Sequence, residues 1–148
     1  MKRILAIDPG SISGAAAILD ELGAAVFDLP VVDNDLDLPE MLRLFRAAEA
    51  NVAVVERVGS MPGQGVSSTF KFGTAFGAIK CAVAAAGLPL ILVPPAKWKG
   101  HFRLAGKDKE GARSLAIQRF PGVQGLSRKK DHGRAEALLL GLWFRETR

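Results

Sequence analysis

Five short apolar runs constrain this chain more than any other feature: three crowd into the first 29 residues with glycines between them, and two more each follow a helix-length stretch. Residues 2–8, 14–19 and 24–29 read as strands punctuated by Gly10, Gly14 and Gly23. Asp33-Asn34-Asp35 is a polar loop, and Asp37 before Pro39 opens a helix to about Ala50, with Met41, Leu42, Leu44 and Phe45 at helical spacing. Residues 52–56 form a fourth strand ending in Glu56, and residues 57–66 a glycine-rich loop. Ser67 or Ser68 can cap a helix from about Thr69 to Ala86, with an apolar stripe of Phe72, Ala75, Phe76, Ile79 and Val83. Residues 90–93 are the fifth strand, closed by Pro94-Pro95, after which a basic loop carries Lys97, Trp98, Lys99, His101 and Arg103. Asp108 can cap a helix to Phe120, and Asp131 or a neighbour opens a last helix through about Phe144. Strands first, then strands interleaved with helices, predict an α/β fold with a mixed five-stranded sheet and helices on both faces.

At 148 residues the chain has room for one domain, residues 1–148, with one continuous core. The apolar stretches at 81–87 and 88–95 are broken by glycine and proline far short of the roughly 20 residues of a membrane span. Asp8 interrupts the N-terminal apolar run too early for a signal-peptide core, so a cytoplasmic location is expected. Cys81 is the single cysteine and, beside Ala82, Val83 and Ala84, reads as a buried thiol without chemistry. Charge is uneven: residues 1–96 carry 7 Lys/Arg against 10 Asp/Glu, whereas residues 97–148 carry 13 against 5. Such a basic C-terminal third suits a polyanionic partner, although an ordinary basic surface has the same composition.

Three positions can carry chemistry. Asp8 ends the first strand, and Pro9-Gly10-Ser11 turns the chain away so that its oxygens stay open; a strand-terminating turn aspartate is the bland alternative. Glu56 follows four apolar residues, where a glutamate needs a partner, and Arg57 is a candidate for a salt bridge. In the segment 130–138, His132 and Glu136 lie four apart on one helical face, and Asp131 reaches a shared metal only from a cap position. Separately, Asp131 can be a cap, Glu136 a partner of Arg134 or Lys130, and His132 a surface residue. Together, three or four carboxylates repel one another unless cations hold them, which points to Mg²⁺. Two ions roughly 4 Å apart can activate water and stabilise the leaving oxygen of a phosphodiester.

In this order the residues resemble the RuvC-type Holliday-junction resolvases, particularly their phage-like relatives. The resemblance runs through Ile7-Asp8-Pro9-Gly10-Ser11 with Gly14, Val55-Glu56-Arg57-Val58, Gly73 to Gly77, Leu92-Val93-Pro94-Pro95 with Lys97 and Lys99, Lys107-Asp108-Lys109, and Ala135-Glu136-Ala137-Leu138. It implies a ribonuclease H-like fold, a homodimer, and Mg²⁺-dependent paired nicking of four-way DNA junctions, with two ions and Mn²⁺ able to substitute. By position, Asp8, Glu56 and Glu136 would be metal ligands, with Asp131 or His132 as the fourth. Lys99 and Lys109 would face the DNA backbone, Lys109 beside the scissile phosphate as part of the catalytic set. Lys97, Lys107, Arg128, Lys129 and Lys130 are further nucleic-acid candidates.

The sequence departs from that family at three places. The usual fourth acid, three residues before the last, is Gly133; the last acid is glutamate instead of aspartate; and the aromatic three residues after the strand glutamate is Gly59. Base stacking at the crossover would then fall to Phe70, Phe72 or Met61. For the dimer, Gly73 and Gly77 offer a flat face on the helix near Thr69, with packing on the chain's own sheet as the alternative. Three other functions compete: an actin-like sugar kinase or ATPase, which needs two such domains; a ribosomal-RNA-processing nuclease of the same fold; and a nucleic-acid-binding module with a decayed site.

Overall fold

The computed structural model describes residues 2–10, 14–60, 62–106 and 109–148; Ser11, Met61, Lys107 and Asp108, singled out above, lie outside the described residues. The elements run β1 (Ile4–Asp8), β2 (Ala15–Asp20), β3 (Gly23–Asp28), β4 (Val31–Val32), β5 (Asp35–Leu36), α1 (Leu38–Ala47), β6 (Val52–Glu56), α2 (Val66–Ala85), β7 (Leu90–Val93), α3 (Pro95–His101), α4 (Lys109–Arg119), a 3₁₀ turn (Lys129–Asp131) and α5 (His132–Thr147). The main sheet has the order β3-β2-β1-β6-β7. Its β1, β6 and β7 are parallel, while β2 and β3 form an antiparallel meander. This is the expected mixed five-stranded sheet.

The two central parallel strands are covered on both sides, which is why β1 and β6 read as unbroken apolar runs while the edge strand β3 alternates. Side chains alternate between faces with the period of two. Leu5, Ile7, Ala53 and Val55 pack against Met41 and Phe45 of α1 and Ile79 and Val83 of α2. Ile4, Ala6, Val52 and Val54 face the opposite layer, built by α5 with α3 and α4. Burying each large aliphatic or aromatic side chain contributes about 1.5–3 kcal/mol, so these two layers are the main source of stability.

Helix α5 lies close against the sheet at Gly141. A Cβ there would overlap Leu19 Cδ1 and stand 3.1 Å from Ala6 Cβ. Gly141→Ala is therefore expected to destabilise the fold by about 1–3 kcal/mol through overpacking, despite the better helix propensity of alanine. Urea denaturation checks this; an unchanged midpoint would mean that α5 stands further from the sheet.

Several local expectations are corrected. The segment after Pro94-Pro95 is the helix α3 and not a loop, because Pro95 starts a helix as readily as it stops a strand and Trp98 is fully buried. Helix α2 begins at Val66 after Gly65, so Ser67 and Ser68 lie inside its first turn and do not cap it. Asp33 and Asn34, read as loop, are the left-handed turn (φ 50° and 63°) that joins β4 to β5. Cys81 is exposed, not buried, because α2 turns that side away from the sheet. Among the described residues no helix is long and apolar enough to cross a membrane.

Candidate active site

The parallel register pairs Ile7 with Val55, which brings Asp8 and Glu56 side by side at the C-terminal ends of β1 and β6. This is the end of a parallel sheet where ligands bind. Helix α5 crosses above them and presents His132 and Glu136, one turn apart, to the same cleft of about 710 Å³. Lys99 of α3, Lys109 of α4, Arg128, Lys130 and Phe72 of α2 line its walls.

Asp8 is 6% exposed, and its Oδ1 accepts a hydrogen bond from the Gly10 backbone N–H at 3.0 Å. Burial, followed by the charges of Glu56 and Glu136, pushes its carboxyl well above the ordinary value of 3.8. Burial also raises Glu56, and Glu136 adds to the shift; the Trp98 hydrogen bond and the charges of Lys99 and Lys109 oppose it. Glu56 Oε2 accepts from the Trp98 indole N–H at 2.7 Å, so its partner is Trp98 and not the neighbouring Arg57. Sequence reasoning gave Trp98 no role; its position between Lys97 and Lys99 was the available signal.

Asp131, expected as a fourth ligand, is only 2% exposed and already satisfied. Its carboxylate accepts from the Arg128 backbone N–H at 2.8 Å and the Arg128 guanidinium at 2.8 Å, with Arg134 at 3.5 Å. The Arg128 side chain holds it below the ordinary carboxylate range. Arg134 also binds Asp28 at 2.9 Å, so the acids it pairs with among the described residues are Asp28 and Asp131. His132 is different: its Nδ1 is buried and has no hydrogen-bond partner. Gly133, where the resolvases carry an acid, would direct a Cβ to within 3.8 Å of Asp8 Oδ2, so the missing carboxylate falls inside this cleft.

Among the described residues no three donors form a ready-made metal cage. Two observations nonetheless fit a divalent cation: an Asp8 carboxyl pushed up by burial and by the charges of Glu56 and Glu136, and an orphaned imidazole nitrogen on His132, which lines the same cleft. The remaining basic candidates sit differently. Lys97 and Lys129 are exposed outside the cleft lining, and Phe70 is 76% exposed on the first turns of α2. Phe72, two residues on, reaches the cleft wall.

Fold and site together define an α/β chain of ribonuclease H-like architecture with an acidic cleft at the ends of its parallel strands and a basic rim. Its fold is that of RuvC. The structure of Thermus thermophilus RuvC in complex with a Holliday junction substrate superposes with a TM-score of 0.71 at 18% identity, covering 99% of this chain and 96% of that one. Another T. thermophilus RuvC structure gives 0.63 at 16% identity, over 97% and 95% of the two chains. The yeast mitochondrial Holliday junction resolvase Ydc2 gives 0.52 at 16% identity, over 97% and 78%. In sequence, the chain is 34% identical over 85 residues to the chloroplastic Holliday junction resolvase MOC1 of Chlamydomonas reinhardtii. That alignment covers 56% of this chain and 10% of the relative's length. No family model matches the chain.

Proposed function

We propose that residues 1–148 form one RuvC-type nuclease domain that resolves four-way DNA junctions by hydrolysing phosphodiesters with paired, symmetric nicks. The observation that carries this reading is the convergence of Asp8, Glu56, Glu136 and His132 on one cleft whose rim holds Lys99, Lys109 and Lys130. Mg²⁺ at these residues, as two ions replaceable by Mn²⁺, would supply an activated water and charge stabilisation for the leaving oxygen. Asp8 and Glu56 stand on strand ends and hold their carboxylates rigidly; Glu136 and His132 close the donor set from the helix above. His132 would replace the acid absent at Gly133, which supports a working site over the binding module with a decayed one.

The lysines do a separate task. Lys99 and Lys109 flank Glu56 closely enough to lower its proton affinity, so they stand where a phosphate backbone would approach the acids. Lys99→Ala or Lys109→Ala is expected to weaken binding to every junction sequence alike and to reduce the salt dependence by about one unit of slope. Titrations of binding against salt measure this, and an unchanged slope would remove the lysine from the phosphate contacts.

Two symmetric nicks require two cleavage centres related by a two-fold axis, so the proposal includes a homodimer. Small residues on the outer side of α2 support it: Gly73 and Cys81 are exposed, Gly77 is half-buried, and a Cβ at either glycine would meet nothing within 4 Å. Magnesium-dependent cleavage of a synthetic four-way junction, set against linear duplex and structured RNA, separates this proposal from a ribosomal-RNA nuclease and from a binding module.

A further inference from the structure

We propose that Trp98 is a positioning residue that fixes Glu56 for metal binding, an assignment that rests on the nuclease reading above. Trp98 has no exposed surface and sits in the core layer beneath α5. An indole has one polar atom and it can only donate, so burial obliges it to find an acceptor. It finds Glu56 Oε2 at 2.7 Å. That bond engages one oxygen of a carboxylate that also lines the cleft.

The support behind the indole is itself anchored. Helix α3 follows β7 directly; the β6–β7 pairing is extended by Arg57 N–H donating to Val93 O at 2.7 Å, so strand and helix keep a fixed relation at Glu56. At the other end of α3, His101 Nε2 lies 2.9 Å from Glu146 Oε1 of α5. Lys99, the next residue after Trp98, stands with its ammonium 5.5 Å from the indole ring centroid. One short helix thus carries both the group that orients Glu56 and a cation of the cleft wall. A glutamate has three rotatable bonds and, at a strand end without this donor, would spread over several rotamers. Donors that orient metal-binding side chains typically account for ten- to a hundredfold in metal affinity.

A phenylalanine or any well-packed apolar ring would satisfy a purely structural role, which makes the N–H the feature to test. Mn²⁺ binding to the DNA-free protein, measured by calorimetry, is compared for wild type, Trp98→Phe and a protein carrying β-(3-benzothienyl)alanine at position 98, which keeps the ring volume but has no N–H. Both replacements are expected to weaken Mn²⁺ binding about tenfold, to raise the Mg²⁺ concentration needed for half-maximal junction cleavage in parallel, and to leave metal-free junction binding unchanged. In a Glu56→Gln background, Trp98→Phe is expected to cost no further affinity, because the two residues act as one unit. Wild-type affinity in the benzothienylalanine protein, or an undiminished loss in the Glu56→Gln background, would overturn the assignment. Absence of Mn²⁺ binding in the wild type would instead overturn the nuclease reading on which it rests.

Discussion

Asp8→Asn and Glu56→Gln are each expected to lower junction cleavage by about 10²–10³-fold or more while leaving junction binding intact or slightly tighter. Each change is nearly isosteric, so it removes a charge proposed to bind metal and relieves repulsion in the acidic cluster without altering the fold. Asp8 also provides a control independent of catalysis. Its carboxyl is pushed up by burial and by Glu56 and Glu136, so the folded, metal-free protein binds that proton more tightly than the unfolded chain does. A raised acid contributes stability that is fully present below its ordinary value of 3.8 and is lost as pH rises through the folded value. Metal-free Asp8→Asn should therefore melt higher than metal-free wild type at neutral pH, and the difference should close as the solution is acidified. Thermal melts across pH, with and without Mg²⁺, measure both effects. Cleavage within threefold of wild type would remove Asp8 from the chemistry, and identical melts at neutral pH would remove it from the repelling cluster.

Gly77→Leu is the second change expected to have a large effect, and it acts outside the cleft lining. A Cβ at Gly73 or Gly77 would meet nothing within 4 Å, and Phe70 at the start of the same helix is 76% exposed. A leucine at 77 therefore fits the isolated chain, and its better helix propensity should stabilise α2 by about 0.5–1 kcal/mol. Against a two-fold related copy of α2 the same side chain would block close backbone approach. Wild type is expected to sediment as a dimer at micromolar concentration and Gly77→Leu as a folded monomer that has lost paired nicking. A wild type that stays monomeric while nicking both strands would remove α2 from any dimer contact.

The element order was legible because each strand is a short apolar run with turn chemistry at its ends, and the central strands are apolar on both faces. Asp8 and Glu56 were legible for the same reason, since an acid that ends such a run is carried to the C-terminal end of the parallel strands. What escaped were features set by tertiary partners. Trp98 looked like part of a basic loop because its N–H partner, Glu56, lies 42 residues away in sequence. Asp131 and His132 are adjacent in sequence and both can ligate a metal, yet Arg128 takes up one and the other keeps an unpartnered Nδ1. Cys81 sits among alanines that suit either side of a helix, so composition could not assign its face. Helix α3 escaped because a Pro-Pro pair signals the end of a strand and the start of a helix alike.

Mapping the cleavage sites on a mobile four-way junction in Mg²⁺ tests the central claim most directly. The acidic cleft, its basic rim and the proposed two-fold pairing predict two nicks at symmetry-related positions on opposite strands, with linear duplex and structured RNA left intact. Cleavage of linear duplex or RNA at a comparable rate, or tight binding of the junction without any nick, would contradict it.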